Sequence, residues 1–114
     1  MSQDQRPLRV AVIGAGPAGI YAADLLSRSE AVAEGQVRVS IDIFDRYPAP
    51  FGLIRYGVAP DHPRIKGIVN SLHKIMENPD IRFFGNVEYG ADLSLAQLRE
   101  HYDAVIFATG AFYD

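Results

Sequence analysis

Leu8–Gly19 reads LRVAVIGAGPAG, and this stretch decides the fold. Leu8–Ile13 is a short apolar run, the pattern of a strand buried on both faces of a parallel sheet. Gly14-Ala15-Gly16-Pro17-Ala18-Gly19 then fits G-x-G-x-x-G. Gly14 permits a sharp turn out of the strand. Gly16 leaves the backbone bare where a diphosphate could approach, and Gly19 lets a following helix lie tight against the sheet. Pro17 stands at the first helical position, where a missing N–H is tolerated. An Ala- and Leu-rich helix is expected over Pro17–Ser29. Its N-terminus offers unpaired N–H groups and roughly +0.5 of an elementary charge to an anion. The same turn could serve a strand–helix junction without any ligand, so its context matters: a strand before it, a helix after it, and an acid further on.

Val37–Phe44 (VRVSIDIF) has apolar residues at 37, 39, 41 and 43 and reads as the second strand. It ends at Asp45, 26 residues past Gly19, the Ser29–Gly35 connection adding to the usual spacing. An acid at this strand end suits ribose hydroxyls and repels a 2′-phosphate, so the nucleotide held here is not expected to be NADP. Asp42 competes for the role, but it precedes the strand end, which favours Asp45. From about Asp61, residues Ile65, Ile68, Val69, Leu72, Ile75 and Met76 form one face of a helix that Asn78-Pro79 stops. Ile81–Phe84 is a strand candidate, with Phe83 and Phe84 expected in the core. Ser94–His101 is a short helix with Leu95 and Leu98 inward, and Asp103–Thr109 a last buried strand. This alternation predicts an α/β fold, a mainly parallel sheet with helices on both faces.

The chain has 114 residues, 48% of them hydrophobic, which is enough for one cored domain. A loose N-terminus over 1–7 and a domain over 8–114 are expected. A net charge of −3 argues against nucleic-acid binding. The absence of cysteine excludes disulfides, a thiol nucleophile and Cys-ligated metal, and fits a reducing cytoplasm. No signal peptide or membrane-spanning stretch is legible, so a soluble cytoplasmic protein is expected. His62, His73 and His101 are dispersed without metal-ligand spacing. His73 and His101 read as solvated. No serine sits in a G-x-S-x-G context, so nucleophilic hydrolysis has no support.

Phe51–Gly67, FGLIRYGVAPDHPRIKG, has no strand or helix period until its end. About fifteen irregular residues separate the second strand from the next helix, and loops that long in a compact domain tend to be functional. Pro48, Pro50, Pro60 and Pro63 stiffen the segment, while Gly52 and Gly57 permit close approach. It reads as a pre-stiffened strap laid along a flat ligand.

Taken together, GAGPAG, PAPFGLIRYGVAPDHPRIK, RFFGNVEYG and YDAVIFATGA resemble the N-terminal part of adrenodoxin reductase-type ferredoxin–NADP reductases, in particular their actinobacterial-like branch. The resemblance covers nearly all of Arg9–Ala111 and rests most on FGL-x-R-x-GVAPDHP. It implies a Rossmann-like FAD-binding domain that serves electron flow from NADPH through FAD to an iron–sulfur protein such as ferredoxin. Carried onto this chain, it implies that Ala18, Asp45, Leu53 and Val87 contact FAD. Gly14, Gly16, Pro17 and Gly19 form the diphosphate turn, and Gly52 lets the strap close. Thr109 and Gly110 lie near the cofactor, and His62 sits by the flavin ring, where it could take part in proton movement. His62 could equally cap the helix that follows it. The family acid is generally Glu, and Asp45 is one methylene shorter.

The resemblance also implies a parent several times longer, with an NADP-binding domain and a C-terminal FAD-domain segment absent here. The chain is therefore expected to be a fragment, inactive alone in hydride transfer and able to pair with a second copy through an exposed edge. Arg55, Arg64 and Lys66 could form a basic patch for an acidic ferredoxin, or simply be surface charge. Two other functions fit parts of the sequence: an NAD-dependent dehydrogenase domain, which leaves Phe51–Gly67 without a task, and a non-catalytic nucleotide-binding module.

Overall fold

The computed structural model describes residues 6–47 and 63–108, apart from the side chains of 63–66, 68 and 69. Four strands, β1 (Leu8–Ile13), β2 (Val39–Phe44), β3 (Ile81–Phe84) and β4 (Ala104–Phe107), form one sheet in the order β3-β2-β1-β4. Every pairing in it is parallel. The helices are α1 (Pro17–Ser27), α2 (Glu30–Ala33), α3 (Pro63–Met76) and α4 (Leu95–His101). The chain moves outward from β1 through β2 to β3, then returns to place β4 on the other side of β1. That reversal between β1 and β4 is where open α/β sheets form a crevice at the carboxyl ends of their strands.

The register sorts side chains by face. Val10 and Val12 of β1 pair with Ile41 and Ile43 of β2, and Ile81 of β3 continues the row. These residues are buried together with Ile20 and Ala23 of α1 and Leu72 of α3. Ile75 and Met76 pack at the edge of the same cluster, as the amphipathic spacing of α3 predicts. The opposite face carries Ala11, Ile13 and Phe44, covered by Leu98 of α4 with Val87, Leu93 and Tyr102 around it. Helices thus lie on both faces, as the alternation predicts. Ser94 caps α4 with a reciprocal capping box: its side chain accepts from the Gln97 N–H, and the Gln97 side chain accepts from the Ser94 N–H.

Four local expectations need correcting. The Ser29–Gly35 connection contains the one-turn helix α2 over Glu30–Ala33, and α1 ends at Ser27. β2 begins at Val39, two residues later than its apolar alternation suggests. β4 is not a buried strand: Phe107 is 49% exposed, because β1 is its one strand neighbour among the described residues. Phe84, on the other edge strand, is 39% exposed and stacks on Phe44 instead of entering the core.

One carboxylate is buried in mid-sheet. Asp42 is 3% exposed and accepts from Arg82 Nε at 2.9 Å and Arg82 Nη2 at 3.2 Å, and from the Tyr102 hydroxyl. A buried ion is tolerated only when its lone pairs are satisfied, and these contacts do so. They tie β2 to β3 and to the α4–β4 junction. Burial, the hydrogen bond to Asp42 and its negative charge push the Tyr102 phenol up to about 12.

Two predictions follow from this packing. A folded-state phenol raised above its unfolded value of ~10 favours the folded protein fully below pH ~10, and the benefit is lost as pH rises through about 12. Tyr102→Phe should therefore cost about 1–2 kcal/mol in urea unfolding at neutral pH. It should also remove the tyrosinate that appears at about pH 12 in an alkaline absorbance titration. Gly19→Ala tests the helix–sheet approach, since a Cβ there would lie 2.1 Å from the Gly14 carbonyl oxygen, a backbone atom that cannot step aside. It should lower unfolding stability by roughly 1–3 kcal/mol, against a near-neutral result at an open glycine.

Candidate functional site at the carboxyl ends of the strands

The turn leaving β1 is built by its glycines. Gly14 has φ +116°, a conformation that residues with a Cβ rarely adopt, and its N–H extends the β1–β2 ladder to the Phe44 carbonyl at 2.7 Å. Gly16 is the N-cap of α1, and its carbonyl accepts the first helical bond, from the Ile20 N–H at 3.1 Å. No side chain caps this helix. Among the described residues the Ala18 and Gly19 N–H groups meet no protein acceptor. A Cβ built on Gly16 meets nothing within 4 Å. Pro17 opens the helix beside it, and Ala18 is exposed on the first turn. The Ala18 N–H thus stands unpaired on the exposed first turn at the positive end of α1, with open space beside Gly16, while Gly19 is buried; an unpaired donor at a helix N-terminus is the chemistry an anionic diphosphate requires.

Asp45 faces the same turn. Its Oδ2 accepts from the Ala15 N–H at 3.3 Å, and its Oδ1 accepts from the Arg46 N–H at 2.8 Å. The short Asp side chain reaches the turn. It is 9% exposed, placed at the crevice mouth instead of deep in the sheet. Each carboxylate oxygen takes one protein donor, and a carboxylate offers about four lone-pair directions in all. Acceptor capacity therefore remains for ribose hydroxyls. The competing acid, Asp42, is occupied by Arg82 and Tyr102.

Val87 is brought to the same place from another element. Its N–H donates to the Asp45 carbonyl at 2.9 Å, and its side chain packs beside Phe44. The Asp45 N–H in turn donates to the Phe84 carbonyl at 3.1 Å, so the segment after β3 extends the sheet beyond its last strand residue. Gly14, Gly16, Pro17, Ala18, Gly19, Asp45 and Val87 thus gather at the carboxyl ends of β1, β2 and β3. Gly52, Leu53, His62, Thr109 and Gly110 lie outside the described residues, as does Arg55 of the basic patch. Sequence reasoning passed over Arg46, Tyr47 and Asn86, which border Asp45. The available signal was their position directly after the acid and after β3.

Residues 12–103 match the model of the NAD(P)-binding Rossmann-like domain family. Over 92% of its length the chain is 46% identical to the NADPH-ferredoxin reductase FprA of Mycobacterium leprae, of which it covers 23%. Over 93% it is 43% identical to the mitochondrial NADPH:adrenodoxin oxidoreductase of Drosophila melanogaster, of which it covers 22%. The solved structure of Mycobacterium tuberculosis FprA in complex with NADPH superposes with a TM-score of 0.80 at 44% identity, over 93% of this chain and 23% of that one. The chain thus spans under a quarter of the length of the relatives it matches. The resemblance stated from the sequence motifs holds across nearly the whole chain. With its parallel sheet, glycine turn and strand-end carboxylate, the chain belongs to the NAD(P)-binding Rossmann-like domain family.

Proposed function

We propose that this chain is the FAD-binding part of an NADPH:ferredoxin oxidoreductase. The observation that carries the proposal is the open space before Gly16 facing the Asp45 carboxylate across one short turn. A dinucleotide laid there puts its diphosphate on the Gly16–Gly19 backbone and its adenosine ribose on Asp45. The negative charge of Asp45 disfavours a 2′-phosphate at that ribose, which selects FAD over NADP for this crevice. In this reading Ala18 and Val87 flank it, and the family resemblance implies that Leu53, Gly52, Thr109, Gly110 and His62 serve the same ligand.

The chemistry a flavin supplies is acceptance of two electrons and their release one at a time. The chain's own contribution is binding and orientation: glycines that admit the diphosphate, a helix terminus that stabilises its charge, and an acid that fixes the sugar. In this proposal NADPH is held by a part of the parent outside this chain, and the electrons leave to an iron–sulfur protein of the ferredoxin class. Names of the relatives support both assignments. None of the helices among the described residues is long and apolar enough to cross a membrane, and the absence of cysteine suits a cytoplasmic setting. The sheet edge at β4 offers a surface for self-pairing.

The test is a titration of the chain with FAD, followed by flavin fluorescence, alongside NADH as competitor. FAD should bind more tightly than NADH, and the reverse order would favour the dehydrogenase alternative. Gly16→Val should abolish binding while leaving the fold intact, since a side chain there meets open space. Asp45→Ala should weaken FAD about tenfold or more, the loss of hydrogen bonds to a charged acceptor. Flavin binding that ignores both substitutions would place the cofactor elsewhere.

A further inference from the structure

The Asp45 carboxylate is not held in place by its own side-chain contacts. Its Oδ2 accepts from the Ala15 N–H at 3.3 Å, longer than an ordinary N–H···O bond, and its Oδ1 accepts from the N–H of the next residue, which moves with it. The position of the acid therefore comes from its backbone. The Asp45 N–H donates to the Phe84 carbonyl at 3.1 Å, and the Asp45 carbonyl accepts from the Val87 N–H at 2.9 Å. Both bonds lie just past the last paired residues of the two strands, Phe44 and Phe84, where a ladder tends to fray.

Two side-chain rows keep that end of the ladder closed. Asp42 stands opposite Arg82, and Phe44 opposite Phe84. The two rings stack, with centroids 5.3 Å apart and planes at 21°. Arg82 belongs to both rows. Its Nε and Nη2 donate to the Asp42 carboxylate at 2.9 and 3.2 Å, and its guanidinium carbon lies 5.7 Å from the centroid of the Phe84 ring. Asp42 is buried and also bound by the Tyr102 hydroxyl, so it is the fixed point of the group. Arg82 is exposed and outside the core clusters, so its replacement opens no cavity in the sheet.

We propose that Arg82 is a positioning residue for ribose recognition: anchored on Asp42, it holds Phe84 against Phe44 and so sets where Asp45 stands before the glycine turn. This rests on the placement of the ribose at Asp45. A hydrogen bond from a sugar hydroxyl depends steeply on distance and angle, whereas the attraction of a diphosphate to a helix terminus is Coulombic and varies slowly. A small displacement of the acid therefore weakens sugar recognition and spares the diphosphate. A lysine at 82 can pair with Asp42 as a point charge, but it lacks the planar fork that meets carboxylate and ring together.

The experiment uses the full chain with Arg82→Gln and Arg82→Lys, and it has two readouts. Without ligand, hydrogen exchange followed by NMR should show the Asp45 and Val87 amides of Arg82→Gln exchanging about tenfold faster relative to the Gly14 amide, which bonds across β1–β2. With ligand, the wild-type chain should bind ADP about tenfold or more tighter than 2′,3′-dideoxy-ADP. Arg82→Gln should cut that preference about threefold to fivefold through weaker ADP binding, with the dideoxy ligand within about twofold of wild type. Arg82→Lys should recover the urea midpoint more fully than the sugar preference. In an Asp45→Ala background, Arg82→Gln should change neither affinity further. Equal losses for both ligands, or a preference that returns in step with the urea midpoint in Arg82→Lys, would make the residue purely structural and overturn the assignment. Unchanged exchange at Asp45 and Val87 overturns it as well. A wild-type chain that binds neither ligand, or binds both alike, removes the ribose from Asp45, and this assignment with it, whatever the exchange rates show.

Discussion

The contact between the start of α1 and the end of β1 sets the geometry of everything around it. The Gly14 carbonyl oxygen sits where a Cβ of residue 19 would have to be. Only a glycine at 19 lets the helix come this close, and only a residue free to take φ +116° at 14 turns the strand into it. The N-terminus of α1 is consequently pinned at the carboxyl edge of the sheet, beside the point where strand order reverses. No side chain caps its first turn, in which Ala18 is exposed and Gly19 is buried. Close packing made possible by two glycines leaves the positive end of α1 without a side-chain cap.

The two faces of the sheet are built differently, and the difference matters for the site. One is an aliphatic layer of Val and Ile under α1 and α3. The other carries Asp42, Arg82, Phe44, Phe84 and Tyr102, joined by ion pairing and ring stacking. That network fixes β3 against β2. The extension past both strands, from Asp45 to Tyr47 beside Asn86 and Val87, inherits its register from it. The acid that faces the glycine turn is thus positioned by contacts on the opposite face of the sheet.

The features legible in the sequence are those whose requirements are local. A glycine needed for a turn, an acid at a strand end and a proline at a helix start announce themselves within a few residues. The preference for Asp45 over Asp42 rests on position alone, and the sequence says nothing of the partners that occupy Asp42. Those partners, Arg82 and Tyr102, are 40 and 60 residues away and could not be read from spacing. Burial of β4 and Phe84 was misjudged for a related reason. Apolar composition says that a strand can be covered, whereas exposure depends on which neighbours lie beside it. Helix α2 was missed because a single turn is too short to develop a period. The strap over Phe51–Gly67 is singled out by composition, and residues 51–62 of it lie outside the described residues.

The account stands on a dinucleotide crossing the carboxyl edge of the sheet between the glycine turn and Asp45. Backbone amide chemical shifts of the chain, followed by NMR as FAD is added, test this most directly. The account predicts that the largest changes fall on Gly16, Ala18, Gly19, Asp45, Arg46 and Val87, with Leu8, Val39 and Ile81 at the other end of the strands unmoved. Changes concentrated at the amino ends of the strands, with a silent glycine turn, would contradict it.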